Sequence, residues 1–199
     1  MTALRFLLPR SLAIMLLGLL LAMGMFTASV ARADGISMQR ASLEADSGGG
    51  WNLDARFDFS LNGNLIDAVS KGIPLYFTTE FELVKPRWYW FDQNTISASQ
   101  SIRLSFQPLT RQYRVTSGGL QLGFDKLDDA LAVIKHVTSW HVIDRDAVRP
   151  GNVYIASVRM QLDTALMPKF FQIDAVNNRD WRLTSDWRQF TFTPPDNGR

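Results

Sequence analysis

Trp51-Asn52-Leu53-Asp54-Ala55-Arg56-Phe57-Asp58-Phe59-Ser60-Leu61 is the stretch that decides the fold class of this chain. Its apolar members Trp51, Leu53, Ala55, Phe57 and Phe59 alternate with Asn52, Asp54, Arg56, Asp58 and Ser60. Successive side chains of a strand point to opposite faces, so this period makes one buried and one wet face, as in an antiparallel sheet. Gly48-Gly49-Gly50 separates it from a second candidate strand, Ile36 to Ala45. Downstream, Leu75, Phe77, Thr79, Phe81 and Leu83 form another inward face, opposed by Tyr76, Thr78, Glu80 and Glu82. Pro86, which has no amide hydrogen to give to a ladder, ends that strand or places it at an edge.

The same reading predicts strands over 88–91, 95–106, 112–116, 154–162 and 189–193, with breaks at Gly118-Gly119 and at the Arg149-Pro150-Gly151-Asn152 turn. Asn64 is the expected cap of a short helix from Leu65 to Lys71, closed by Gly72 and Pro74. A longer helix is expected from Asp125, where Leu127, Ala130, Leu131, Ile134 and Val137 fall at helical spacing. Between Asp163 and Asp186 one or two short helical turns are expected. The prediction is a β-rich α+β fold: an antiparallel sandwich or curved sheet of about seven or eight strands with two helices packed on it.

The chain has 199 residues, 21 Lys+Arg and 19 Asp+Glu, and no cysteine. Three of its arginines, Arg5, Arg10 and Arg32, precede Asp34, in a leading segment that contains no acid. From Asp34 onward the acids therefore exceed the bases by one, and the basic isoelectric point of about 9.1 belongs to the leading segment. Arg5 and Arg10, the apolar run from Leu12 to Phe26, and Ala31-Arg32-Ala33 form the pattern of a secretory signal peptide cleaved after Ala33. Retention of the same segment as an anchor is the alternative. Charges interrupt every later apolar stretch, so no transmembrane segment is expected in the mature chain. The expected organisation is a signal peptide over 1–33, a single β-rich domain over 34–193 and a flexible tail over 194–199, in a periplasmic protein. The absence of cysteine excludes disulfides, thiol nucleophiles and Cys-ligated zinc. A near-neutral exported chain is a poor partner for nucleic acid.

His136 and His141 are the two histidines. On a continued helix their spacing places them on different faces, which does not suit a metal pair. No G-x-S-x-G, G-x-G-x-x-G or P-loop pattern occurs, and neither a metal nor a cofactor is expected. Asp125, Asp128 and Asp129 complement the positive end of a helix, and Asp144-Arg145-Asp146 reads as a loop ion pair. Glu80 and Glu82 lie roughly 6.5–7 Å apart on one strand face, a separation compatible with acid/base hydrolysis of a glycosidic bond. Lys85 and Arg87 beside them favour the ionised state, which does not suit a general acid.

Lys85-Pro86-Arg87-Trp88-Tyr89-Trp90-Phe91 is the most unusual segment. On an extended chain, Trp88 and Trp90 share one face while Tyr89 and Phe91 share the other. The segment is either a strand buried on both faces or an aromatic platform for a sugar ring or a protein partner. Arg87, Arg111 and Arg114 are expected near these rings, at cation–π range. Trp181 and Trp187, flanked by Arg179, Asp180, Arg182 and Asp186, pose the same choice between an exposed platform and a packed corner held by ion pairs.

Gly72-Ile73-Pro74-Leu75-Tyr76-Phe77, Glu80-Phe81-Glu82-Leu83, Pro86-Arg87-Trp88-Tyr89-Trp90, Leu109 to Val115 and Asn178 to Trp181 followed by Ser185-Asp186-Trp187 together resemble a known family. They resemble the exported proteobacterial proteins grouped as domain of unknown function DUF4390, over nearly all of the mature chain. The resemblance implies an exported single-domain protein and brings no activity or site residues. Genes of that family often neighbour a nitrogen-regulation-type sensor kinase pair, which implies an envelope protein or sensor kinase as a partner. The expectation is thus a periplasmic binding or accessory protein that is not an enzyme, with Arg87, Trp88, Tyr89, Trp90, Phe91, Arg111 and Arg114 as its partner-binding residues. The alternative is an envelope carbohydrate hydrolase built on Glu80 and Glu82.

Overall fold

A computed structural model describes residues 35–86, 93–172 and 178–195. Nine strands run in chain order: β1 (Ser37–Ala45), β2 (Trp51–Asp58), β3 (Leu75–Lys85), β4 (Gln93–Gln107), β5 (Gln112–Ser117), β6 (Leu120–Phe124), β7 (His136–Ile143), β8 (Tyr154–Leu162) and β9 (Arg188–Phe192). They form two antiparallel sheets, a three-stranded one in the order β1-β2-β7 and a six-stranded one in the order β6-β5-β4-β3-β8-β9. The expected β-rich α+β fold with antiparallel sheets is what the structure contains.

The alternation seen in the sequence sets the inward faces. Leu53, Ala55 and Phe57 of β2, and Leu75, Phe77, Phe81 and Leu83 of β3, are buried in one hydrophobic core. The two sheets meet there: Phe59 stacks on Phe77 with ring centroids 5.2 Å apart, and Trp51 meets Phe192 edge-on at 4.8 Å. Ring pairs of this geometry add to the free energy of burying their area.

Helix α1 (Gly63–Ser70) buries Leu65, Ala68 and Val69. Its cap is Asn62 rather than Asn64, with the Asn62 side-chain oxygen accepting from the Leu65 amide at 3.0 Å. Asn64 instead donates to the Asp180 carboxylate at 2.5 Å. Gly72 takes φ +87 and closes the helix as expected, its amide donating to the Val69 carbonyl at 2.9 Å.

Helix α2 (Leu127–Ile134) is shorter than its apolar pattern predicts. Val137 keeps its inward place, but from β7, where it is also buried. The segment His136–Ile143 is rich in β-branched and aromatic residues. It finds a ladder on β2, so pairing overrides the helical period. A second strand absent from the sequence reading is β6. Gly118 and Gly119, with φ +52 and +89, form the two-residue link of a β5–β6 hairpin rather than a break. Both residues of such a tight turn need positive φ, which glycine adopts without steric cost.

Thr164–Leu166 and Arg179–Trp181 are short 3-10 turns, in agreement with the expected helical turns. Pro194 is buried and its carbonyl accepts from Gly151 at 3.1 Å, so the start of the expected tail is tied to the domain. The expected signal peptide, the strand at 88–91 and the tail beyond Pro195 lie outside the described residues. No helix among the described residues is long and apolar enough to cross a membrane.

Candidate functional site

The outer face of the three-stranded sheet carries a polar cleft of about 440 Å3. With Leu53, Ala55 and Phe57 turned to the core, β2 presents Asn52, Asp54 and Arg56 on its other side. Register then fixes their neighbours. Arg40 of β1 stands opposite Arg56, Ser42 opposite Asp54 and Glu44 opposite Asn52. On the other side of β2, His136 stands opposite Arg56 and His141 opposite Asn52.

Two bulges create this arrangement. Gln39 is the extra residue of β1, between Met38 opposite Phe57 and Arg40 opposite Arg56. On β7, Thr138 and Ser139 together face Asp54, and Ser139 takes φ +50. The Asp54 carboxylate accepts the Ser139 amide at 3.2 Å and supports the bulge. One inserted residue reverses the alternation of a strand. It therefore returns His141 to the face that His136 occupies, instead of the opposite faces expected on a helix.

Arg40, Arg56 and His136 thus form one rank across three strands, two arginines beside a histidine. Neither arginine has an ion pair or hydrogen bond among the described residues. Like charges directly opposite on neighbouring strands repel. His136 donates from Nδ1 to the Ala132 carbonyl at 2.6 Å, leaving Nε2 as its remaining polar atom. Gln39, Ser42 and Thr138 line the same cleft with neutral hydrogen-bonding groups. Of the acids there, Asp54 is engaged by the β7 bulge, and Glu44 stands two ranks from Arg40 along β1.

Next to the cleft, His141 joins two loops. Its Nδ1 meets the Asp46 carboxylate and its Nε2 the Asp144 carboxylate, both at 3.0 Å. Carboxylates only accept, so both bonds require the doubly protonated ring. The Asp144 bond raises the His141 pKa first, with Asp46 adding in the same direction. Asp46 lies below the usual carboxylate range, chiefly because the Gly50 amide donates to it at 2.8 Å, with His141 contributing further. Gly50 is required by space: a Cβ there would lie 2.5 Å from His141 Cε1 and 2.7 Å from the Ile143 carbonyl. Asp144, expected in a loop ion pair, pairs with His141 three residues before it, and Asp46 supplies the contact across loops.

The Glu80–Glu82 pair lies on the outer face of the six-stranded sheet, beside a shallow groove of about 340 Å3. The Glu80 carboxylate is already occupied. Arg159, directly opposite on β8, holds Oε2 through Nε at 2.8 Å and through Nη2, and Gln161 donates to Oε1 at 2.8 Å. The Arg159 guanidinium also lies 4.5 Å from the Trp187 ring centroid, in a cation–π contact. Trp181 is buried, whereas Trp187 is 36 % exposed.

Arg87, Trp88, Tyr89, Trp90 and Phe91 lie outside the described residues, between Lys85 and Gln93, which pair across β3 and β4. Arg111 follows the other end of the 15-residue strand β4, in the turn before β5, with φ +53. Arg114 stands opposite Ser105 near that same end. The length of β4 thus separates both arginines from the residues that flank the aromatic segment. Asp125 accepts from Gln112 at 3.2 Å, while Asp128 and Asp129 occupy the first turn of α2. Among the described residues no group of three or more His, Cys, Asp and Glu is arranged to hold a metal ion.

Two antiparallel sheets around one core, with a polar cleft on the smaller sheet, define the class: a β-rich α+β domain. The family model described as Domain of unknown function (DUF4390) matches residues 33–191, and the chain belongs to that family. Comparison with curated proteins and with solved structures gives no match.

Proposed function

We propose that the chain is an exported periplasmic binding or accessory protein without catalytic chemistry, and that its cleft on the β1-β2-β7 sheet takes an anionic group. The observation that carries this reading is the direct opposition of Arg40 and Arg56 beside His136, with no ion pair to either arginine among the described residues although Asp54 and Glu44 line the same cleft. A planar guanidinium suits two-pronged binding of phosphate or carboxylate, and two of them facing each other suit a multiply charged oxyanion. The cleft volume falls in the range of small-ligand sites. Engagement of Glu80 by Arg159 and Gln161 supports the absence of glycosidic acid/base chemistry. That chemistry needs a carboxyl free to exchange a proton.

The export part of the reading rests on the arginines, apolar run and Ala31-Arg32-Ala33 of the leading segment. Its accessory role toward an envelope protein or sensor kinase rests on the family's gene neighbourhood and on the Arg87–Phe91 segment. The test of the binding role is titration of the chain beginning at Asp34 with inorganic phosphate, followed by amide chemical shifts. Saturable shifts at Arg40, Arg56 and His136 that vanish in Arg40→Gln and Arg56→Gln are expected. Unchanged shifts at those positions up to high phosphate would overturn it.

A further inference from the structure

Beside the start of β7, a second opening of about 280 Å3 leads between the two sheets. Its lining differs in kind from that of the cleft on the outer face. Ile102 and Val115 form its floor as members of the buried core, and Val133 contributes from α2. Leu120 and Leu122 form its rim on β6, where they stand opposite Ser117 and Val115 and so share the inward face of the sheet. They are nevertheless 62 % and 38 % exposed. Helix α2 packs against β5 and β6 but leaves these two side chains partly in solvent. Its polar members are Gln100 and Ser117, which bond to each other at 2.9 Å, with His136 and Thr138 at the β7 edge.

The slot and the outer-face cleft share three lining residues, His136, Val137 and Thr138, at the start of edge strand β7. One strand edge therefore has two arginines without an ion pair among the described residues on one side and partly exposed leucines on the other. A single molecule with an anionic head and an apolar tail satisfies both.

Resting on the anion-binding reading above, we infer that the ligand is a free single-chain anionic amphiphile. Its head group lies between Arg40 and Arg56, and its hydrocarbon chain passes the edge of β7 into the slot under Leu120 and Leu122. Two features favour this occupant over others. A purely polar anion leaves the leucines in water, where exposed apolar patches beside an open core are unfavourable. An apolar peptide covers the leucines but brings no anion to the arginines.

The test is a chain-length series of probes on the chain beginning at Asp34: inorganic phosphate, then butyl, octyl and dodecyl phosphate below their micelle-forming concentrations, by calorimetry. Each methylene drawn from water into the slot is expected to tighten binding about three- to fourfold until the slot is filled. Leu120→Glu is expected to remove the gain for octyl and dodecyl phosphate while leaving inorganic phosphate unchanged. Leu120 is largely exposed on an edge strand, so this change leaves the core intact. Equal affinity for inorganic and dodecyl phosphate overturns the amphiphile while the anion site stands. Failure of every probe overturns both. A dimer by light scattering that Leu120→Glu dissociates would assign the slot to a second copy. Cosedimentation with phosphatidylglycerol vesicles without binding of monomeric probes would assign it to a membrane surface; either result overturns the inference.

Discussion

Arg40 on β1 and Arg56 on β2 stand directly opposite each other on the outer face of the three-stranded sheet, without an ion pair to either among the described residues. Opposed like charges weaken a strand pair, by roughly 0.2–1 kcal/mol on the scale of cross-strand pairs. Arg56→Gln is therefore expected to raise stability to urea by an amount in that range, while abolishing the phosphate response of the cleft. A lower unfolding midpoint in the variant would mean that Arg56 is held by attraction rather than retained against repulsion.

His141 makes the link between the β1–β2 and β7–β8 loops dependent on pH. Its folded pKa is raised, so its contribution is fully present below the ordinary histidine value of 6.5 and is lost as pH rises through the folded value. Asp46 has a lowered folded pKa, so its contribution is present above the ordinary 3.8 and lost as pH falls through the folded value. The link is at full strength between those two ordinary values. Hydrogen exchange of the Gly50 amide, corrected for the intrinsic pH dependence, is expected to be slowest in that window and faster on the alkaline side. Asp144→Asn is expected to lower the His141 titration midpoint by NMR. An unmoved midpoint would remove Asp144 from the link.

The parts of the fold that are legible in the sequence are those set by one period over one element. Trp51 to Phe59 and Leu75 to Leu83 alternate because a single buried face selects them, and the structure keeps both faces. The β7 strand is not legible, because Ile134 and Val137 continue a helical spacing while their burial comes from two different elements. β6 is hidden for a related reason: its leucines face inward without being covered, so Gly118-Gly119 reads as an end rather than a turn. The cleft depends on register. Arg40 and Arg56 are each ordinary outward residues, and the extra residue Gln39 decides that they meet. A bulge of this kind carries no compositional mark strong enough to read in advance. Arg111 and Arg114 follow the aromatic segment closely in sequence, but β4, at 15 residues, separates them from its flanks.

The proposed accessory role assigns contact with an envelope partner to Arg87–Phe91. A photo-crosslinker at position 88 or 90 in cells is expected to capture one discrete envelope protein. Trp88→Ala combined with Trp90→Ala is expected to abolish that capture while leaving the melting temperature unchanged. Loss of soluble protein in the double variant would instead make these tryptophans part of the core. Recovery of cell-wall glycan alone would replace the protein partner with a saccharide.

Arg159 links two groups that the sequence presents separately, the Glu80 carboxylate and the Trp187 ring. Both side chains of the ion pair stay partly exposed, Arg159 at 30 % and Glu80 at 25 %. Solvent therefore screens the pair, and its worth is modest. Arg159→Ala is expected to cost about 1 kcal/mol of stability, most of it from the carboxylate left with Gln161 alone. It also removes the cation from the face of Trp187, whose emission, isolated by difference against Trp187→Phe, is expected to shift to the red. The hydrolase alternative makes the opposite prediction for the acids. If Glu80 acted as a catalytic acid or base, freeing it from Arg159 would shift a pH–activity profile on cell-wall glycan. Glu80→Gln with Glu82→Gln is instead expected to leave glycan turnover at the level of the buffer alone, before and after the change. A rate above that level in the unaltered chain, lost in the double variant, would make the Glu pair catalytic.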